Sequence, residues 1–146
     1  MTRGQYPSTR MRRNRMKAFS RRLVAETRLD TAGLVWPLFV VEGNNITQPV
    51  DAMPGVSRYS IDRLLEQAAT AVRLTIPAIA VFPSIEAALK DDRGSLACDG
   101  DNLVCRAVRA VKAAHPDLGI VCDVALDPFT THGHDGLFED NKVKNY

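Results

Sequence analysis

The sequence predicts a parallel α/β fold, and three observations carry that prediction. Continuous apolar runs stand at residues 34–41, 78–82 and 119–126. Runs without polar alternation suit strands buried on both faces, as in parallel sheets. Amphipathic helical patterns lie between them, which makes the order β–α–β–α–β. Parallel strands joined through helices cross over right-handed.

Taken in order, residues 1–13 are polar, contain Pro7 and lack periodicity, so they read as an extended arm. Over residues 14–27, Met16, Phe19 and Leu23 recur at helical spacing with arginines on the other face. Asn14 is placed to cap this short helix. The first strand, LVWPLFVV at residues 34–41, contains Pro37, which predicts a bulge or local irregularity. Residues 42–59 are turn-rich, and a connection of that length is functional or packed as a compact loop.

Ser60 is placed to cap a helix reaching about Leu74, with Ile61, Leu64, Leu65, Ala68 and Val72 inward. The second strand, AIAVF, is ended by Pro83. Residues 84–100 read as an acidic loop. Asp99 or Asp101 then caps a helix to His115, with Leu103, Ala107, Val108 and Val111 inward, and Pro116 stops it. The third strand, GIVCDVAL, is followed by about twenty residues without a helical pattern, so its outer edge stays unpaired. Three strands make neither a barrel nor a balanced doubly wound sheet. The pattern is that of a larger α/β enzyme cut short.

Composition narrows the class. The chain has 146 residues, 45% hydrophobic and 25% charged, with 9 Gly and 8 Pro. These proportions exclude wholesale disorder and a collagen-like or disulfide scaffold. The net charge of +2 hides an asymmetry. Residues 1–28 hold nine basic side chains against one acid, Glu26, while the remainder holds ten basic and sixteen acidic groups. A basic arm thus precedes an acidic body, and such an arm suits an anionic partner. No apolar run approaches the roughly 18 residues of a membrane span. No apolar stretch follows the first charges as in a secretory signal. The Arg-rich start is instead compatible with an organellar transit peptide, the alternative to a cytoplasmic location. Cys98, Cys105 and Cys122 lack a paired spacing and read as free thiols, with Cys122 a buried small residue inside its strand. His115, at its helix end, reads as a favourable dipole partner.

The densest polar cluster is DVALDPFTTHGHDG, residues 123–136, at and beyond the end of the third strand. Parallel α/β folds bind ligands at strand carboxyl ends. A strand continued through this stretch would set Asp123 and Asp127 on one face. Three readings compete. Asp127, His132, His134 and Asp135 are competent divalent-metal ligands. They are equally competent acid–base groups. The plainest reading is a loop whose Asp and Thr side chains satisfy backbone amides. Two wider alternatives stand beside an α/β enzyme. One is a non-enzymatic module that binds nucleic acid or an acidic partner through its arm. The other is a metal-dependent hydrolase using Asp123, Asp127 and His134.

The same stretch resembles the active-site segment of the porphobilinogen synthase, or delta-aminolevulinic acid dehydratase, family. Upstream segments agree in order: RMRRNR at 10–15, LFVVEG at 38–43, MPG at 53–55, SIDRL at 60–64 and GDNLV at 100–104. The resemblance implies the first three strands of a (β/α)8 TIM barrel at residues 31–146, behind an oligomerisation arm at residues 1–30. It implies condensation of two 5-aminolevulinate molecules to porphobilinogen on the path to heme and other tetrapyrroles. It further implies a homo-octamer assembled through the arm, with no nucleic-acid or membrane partner. Zinc-dependent members carry cysteines where this chain has Ala125, Asp127 and Asp135, so the likeness is to the zinc-independent, aspartate-rich branch. Carboxylates suit magnesium, and thiolates suit zinc. The resemblance makes Asp123, Asp127 and Asp135 the active-site carboxylates, with Asp127 and Asp135 also the candidate metal ligands. Magnesium is the expected cofactor of the full-length parent, with its allosteric ligands outside these residues. The family's two Schiff-base lysines have no counterpart among Lys17, Lys90, Lys112, Lys142 and Lys144. The chain by itself is therefore expected to be inactive.

Overall fold

The computed structural model describes residues 4–10 and 12–144. The chain divides into two compact units, residues 1–30 and 31–146. In the first, the single helix expected over residues 14–27 is two short pieces, α1 (Arg13–Met16) and α2 (Ala18–Leu23). Lys17 between them is extended, with φ −111° and ψ 145°. Neither piece has a side-chain cap, and Asn14 lies inside α1. Helices this short lack the hydrogen bonds to repay nucleation. Met16, Phe19 and Leu23 are all exposed.

The second unit is built on a five-stranded sheet of order β2-β3-β1-β4-β5. Its strands are β1 (Val35–Val41), β2 (Thr47–Pro49), β3 (Ser57–Tyr59), β4 (Ala78–Ser84) and β5 (Gly119–Cys122). β3, β1, β4 and β5 run parallel, and β2 is an antiparallel edge. The three predicted strands are β1, β4 and β5. The long connection after β1 is not merely a loop, because it folds into the β2–β3 hairpin and widens the sheet.

Both strand prolines depart from expectation for one reason. Pro37 causes no bulge, since β1 and β4 stay in register from Val35↔Ala78 to Val41↔Ser84. Pro83 does not end β4, which continues to Ser84. A proline is tolerated where one flank lacks a strand. β3 joins β1 only at Phe39 and Val40, past Pro37. β5 pairs with β4 only up to Val81↔Cys122, short of Pro83. The third strand accordingly stops at Cys122 instead of Leu126, for a longer ladder would set Val124 opposite Pro83. Cys122 is exposed on this edge strand, not buried.

Helices α3 (Ile61–Arg73) and α4 (Leu103–Ala114) pack against each other and against β1 and β4. Leu38 and Val40 of β1, Ile79 and Val81 of β4, Leu64, Ala68 and Ala71 of α3, and Leu103, Ala107 and Val111 of α4 form the core. Trp36 packs on the same side as Leu38 and Val40, as strand alternation requires. The opposite sheet face is half-covered, with Phe39 and Phe82 rings 6.0 Å apart. On α3, Ala71 faces inward in place of Val72, which is 47% exposed.

The helix starts also differ from expectation. Ser60 holds the N-cap position of α3 without capping it. Its hydroxyl donates to Asp62 Oδ1 at 2.6 Å and accepts from the Ile46 amide at 2.8 Å. Asp62 in turn accepts from the Asn45 amide. The cap residue is thus diverted to stitch the turn after β1 onto α3. The cap of α4 is Asn102, not Asp99 or Asp101, and its side chain accepts from the Cys105 amide at 2.9 Å. Its amide group also donates to the Ala97 carbonyl at 3.2 Å, a bond that an aspartate cannot make.

Candidate active site

The carboxyl ends of the parallel strands feed three segments: residues 42–56, 85–102 and 123–137. The second and third are joined. Asp91 and Thr130 form a parallel bridge, with the Asp91 amide on the Phe129 carbonyl and the Thr131 amide on the Asp91 carbonyl. The acidic loop after β4 is therefore part of the site, which the residue pattern alone did not show. Its turn is held by Asp91 Oδ1, which accepts from the Arg93 amide at 2.9 Å and the Ser95 amide at 3.0 Å. The Ser95 amide and hydroxyl, then the Arg93 amide, hold the Asp91 carboxyl below its ordinary value of 3.8. Gly94 turns the chain at φ +63°, where side chains are disfavoured, and a Cβ there would sit 3.3 Å from Thr130. An aspartate followed three residues later by such a glycine is the readable signal of this turn.

Asp123 lies just beyond β5, exposed and outside any strand, so it does not share a strand face with Asp127. Residues 126–130 form a turn, closed by bonds from the Phe129 amide (2.8 Å) and Thr130 amide (3.1 Å) to the Leu126 carbonyl. Asp135 folds back on this turn. Its Oδ1 accepts from the Leu126 amide at 2.6 Å and the Asp127 amide at 3.0 Å. Asp127 and Asp135 are thus brought together, and Asp135 does what the plainest reading expected, satisfying backbone amides. The Asp123 and Asp127 carboxylates face solvent without a hydrogen-bond donor among the described residues.

Thr130 is buried, and its hydroxyl donates to the His134 carbonyl at 3.1 Å. Thr131 donates its hydroxyl to Asp92 Oδ1. The His132 ring contacts the Asp92 carbonyl through Nε2 at 3.1 Å and takes the His134 amide on Nδ1 at 3.2 Å. A carbonyl only accepts and an amide N–H only donates, so the two contacts assign the neutral Nε2–H tautomer. His132, His134 and Phe138 stack, with centroids 4.9 to 5.7 Å apart. Phe138 begins a small hairpin, β6 (Phe138–Glu139) and β7 (Lys142–Val143), in the stretch that the sequence showed only as lacking a helical pattern.

Among the described residues, no group of three or more His, Cys, Asp or Glu side chains gathers as a metal-ligand set. Asp127 and Asp135 are hard oxygen donors, but one Asp135 oxygen already serves two amides. Magnesium is commonly held by one or two carboxylates with water completing its octahedral shell, so the free oxygens of this pair are the ones that would hold it.

A parallel β/α sheet with carboxylates and imidazoles on the loops at its strand carboxyl ends has the arrangement in which α/β folds, barrels among them, carry their ligand sites. The family profile described as delta-aminolevulinic acid dehydratase matches residues 8–146, and the chain belongs to that family. A delta-aminolevulinic acid dehydratase of Bradyrhizobium diazoefficiens is 52% identical over 136 residues, which are 93% of this chain and 38% of the relative. One from Chlamydia pneumoniae is 43% identical over 94% of this chain and 42% of its own length. The fold matches a crystal structure of the Toxoplasma gondii enzyme, in complex with its reaction product porphobilinogen. The TM-score is 0.86 at 37% identity, covering 93% of this chain and 38% of that one. The chain therefore spans about two-fifths of the length of these relatives. Its sheet corresponds to the N-terminal part of their TIM barrel and does not close into one.

Proposed function

We propose that these residues are the N-terminal part of a porphobilinogen synthase, a lyase that condenses two 5-aminolevulinate molecules with loss of water in heme biosynthesis. The observation that supports this most is the DVALDPFTTHGHDG stretch, lying where a β/α barrel keeps its site and set in a chain 52% identical to a named relative. In this reading, Asp123 and Asp127 offer unpaired carboxylates to the substrate ammonium groups. Asp135 holds the Asp127 turn through Oδ1 and leaves Oδ2 for substrate or a hard cation such as magnesium. The carboxylate chemistry favours magnesium over zinc.

A Schiff base requires a lysine whose amine is free to attack. Lys112 Nζ instead donates to the carbonyls of Pro116 (2.8 Å) and Leu118 (2.9 Å), and Lys144 Nζ lies 3.3 Å from Asp140. Lys17 lies in the arm, Lys142 lies on β7, and Lys90 precedes Asp91 on the loop after β4. We assign none of them the nucleophile role, so the 146-residue chain is proposed to have no turnover. Residues 1–30 are read as the arm that assembles a homo-octamer, because Met16, Phe19 and Leu23 are large apolar side chains left exposed among the described residues of their unit. The proposed location is the cytoplasm, with an organelle as the alternative. No described helix is long and apolar enough to cross a membrane, and a relative in Arabidopsis thaliana is named as chloroplastic.

A chimera tests the reading. Residues 8–146 replace the matching part of the Bradyrhizobium relative, and porphobilinogen formation is assayed. The chimera is expected to be active, the free 146-residue chain inactive, and Asp123→Ala in the chimera reduced by roughly 10²-fold or more. A folded chimera without activity, or one indifferent to Asp123→Ala, overturns the assignment. Turnover by the free chain overturns its proposed inactivity.

A further inference from the structure

We propose that Asp92, on the loop after β4, is a positioning residue for the active-site stretch, acting through Thr131 and His132. The proposal rests on reading residues 123–136 as that stretch. A continuous set of contacts carries it. The Asp92 carboxylate takes the Thr131 hydroxyl, and the Asp92 carbonyl takes the His132 Nε2–H. His132 Nδ1 takes the His134 amide, and the buried Thr130 hydroxyl takes the His134 carbonyl. His134 is thereby fixed at both ends of its backbone, one residue before Asp135. Asp135 holds the amides of Leu126 and Asp127. The main-chain position of Asp127, from which its carboxylate projects, thus traces back to a residue on another strand's loop.

The arrangement suits positioning more than bulk stability. Thr131 and Asp92 are exposed, so their hydrogen bond buries little surface, and exposed polar pairs add little to folding. What it does supply is direction. It keeps the Asp92 carbonyl against Nε2, which selects one imidazole tautomer and leaves Nδ1 as an acceptor for the His134 amide. Asp91 sets the same loop by closing its turn on the Arg93 and Ser95 amides.

The test uses the 146-residue chain with ring-labelled histidine. There are only 3 histidines, so each ring signal is assigned by a single substitution. Nitrogen-15 shifts of His132 report the tautomer, and hydrogen exchange reports the Thr131, His134 and Asp127 amides. The expected result is a dominant Nε2–H form in the native chain. Asp92→Ala is expected to mix the tautomers and speed exchange at those three amides about tenfold, with amides of the α3–α4 core unchanged. Asp92→Asn keeps the oxygen acceptor and is expected to restore both readouts. If Asp92→Ala does not fold, Thr131→Val removes the same bond from the other side and is read identically. Native tautomer and exchange in the alanine (or valine) variant, or no rescue by Asn, overturns the proposal. These readouts do not involve turnover, so an inactive chimera would leave them standing.

Discussion

Asp91 joins two roles at one residue: its main chain bridges to Thr130, and its carboxylate closes the turn that shapes the loop. The Ser95 and Arg93 bonds favour the ionised form, so the folded carboxyl lies below the unfolded value of 3.8. A depressed folded value contributes stability that is complete above the unfolded value and is lost as pH falls through the folded one. Asp62, lowered by the Ser60 hydroxyl and the Asn45 amide, adds an effect of the same sign. Urea midpoints of the native chain are therefore expected to fall as pH drops from about 4 to about 2. Asp91→Asn, which keeps the acceptor without the charge, is expected to shallow that fall. Coincident acid limbs for the two chains would contradict this. The same residue marks how far the site was legible in advance. Residues 123–136 announced themselves by the density of Asp, Thr and His. Asp91, Asp92 and Gly94 did not, because their contribution is made through contacts to a segment some forty positions away, and no local spacing records such a pairing.

At the level of elements, the side-chain periodicity of α3 leaves one ambiguity that packing resolves. Both Ala71 and Val72 lie near the inward stripe, and the structure buries Ala71 while leaving Val72 half in water. Close approach of α3 to the sheet favours the smaller side chain at the contact. Leu64, fully buried beside it, is expected to cost roughly 2–5 kcal/mol when cut to alanine. Val72→Ala is expected to stay within about 0.5 kcal/mol of native. Urea denaturation of the two variants decides which face is inward, and equal losses would refute the packing. The first two apolar runs and the two amphipathic helices were readable because each buries a regular face, and the third run was readable by composition although its strand is an exposed edge. The β2–β3 hairpin was not, since Thr47–Pro49 and Ser57–Tyr59 are short and are recruited by the edge of β1. The left-handed end of α3 was equally hidden. Thr75, at φ 58°, takes the position usual for glycine, and the Ile76 amide closes the helix on the Ala71 carbonyl. Its hydroxyl meets that of Thr31 at 2.9 Å, a tertiary contact that accompanies the unusual conformation.

At the scale of the whole molecule, the sheet has two unlike edges. On one side β2 is a short, polar antiparallel strand, TQP, which ends in proline and discourages further pairing. On the other side β5 offers an unpaired parallel edge, with Val121 half exposed and Val124 fully exposed just beyond it. A β/α barrel continues its sheet from such an edge, and the 38% coverage of the crystallised relative agrees with that geometry. In the 146-residue chain the same edge is a template for pairing between copies. Sedimentation of the chain is therefore expected to show association that rises with concentration. Val124→Lys sets a charge beside the open edge without touching the core, so it is expected to reduce that association while shifting stability by less than about 0.5 kcal/mol. The arm proposed to assemble the oligomer is a competing route to association, since its basic charge is complementary to the acidic remainder of another copy. The two routes separate by salt: pairing through the arm weakens as ionic strength screens its charges, whereas pairing at the apolar edge does not. Association that Val124→Lys leaves intact and that salt dissolves would assign it to the arm.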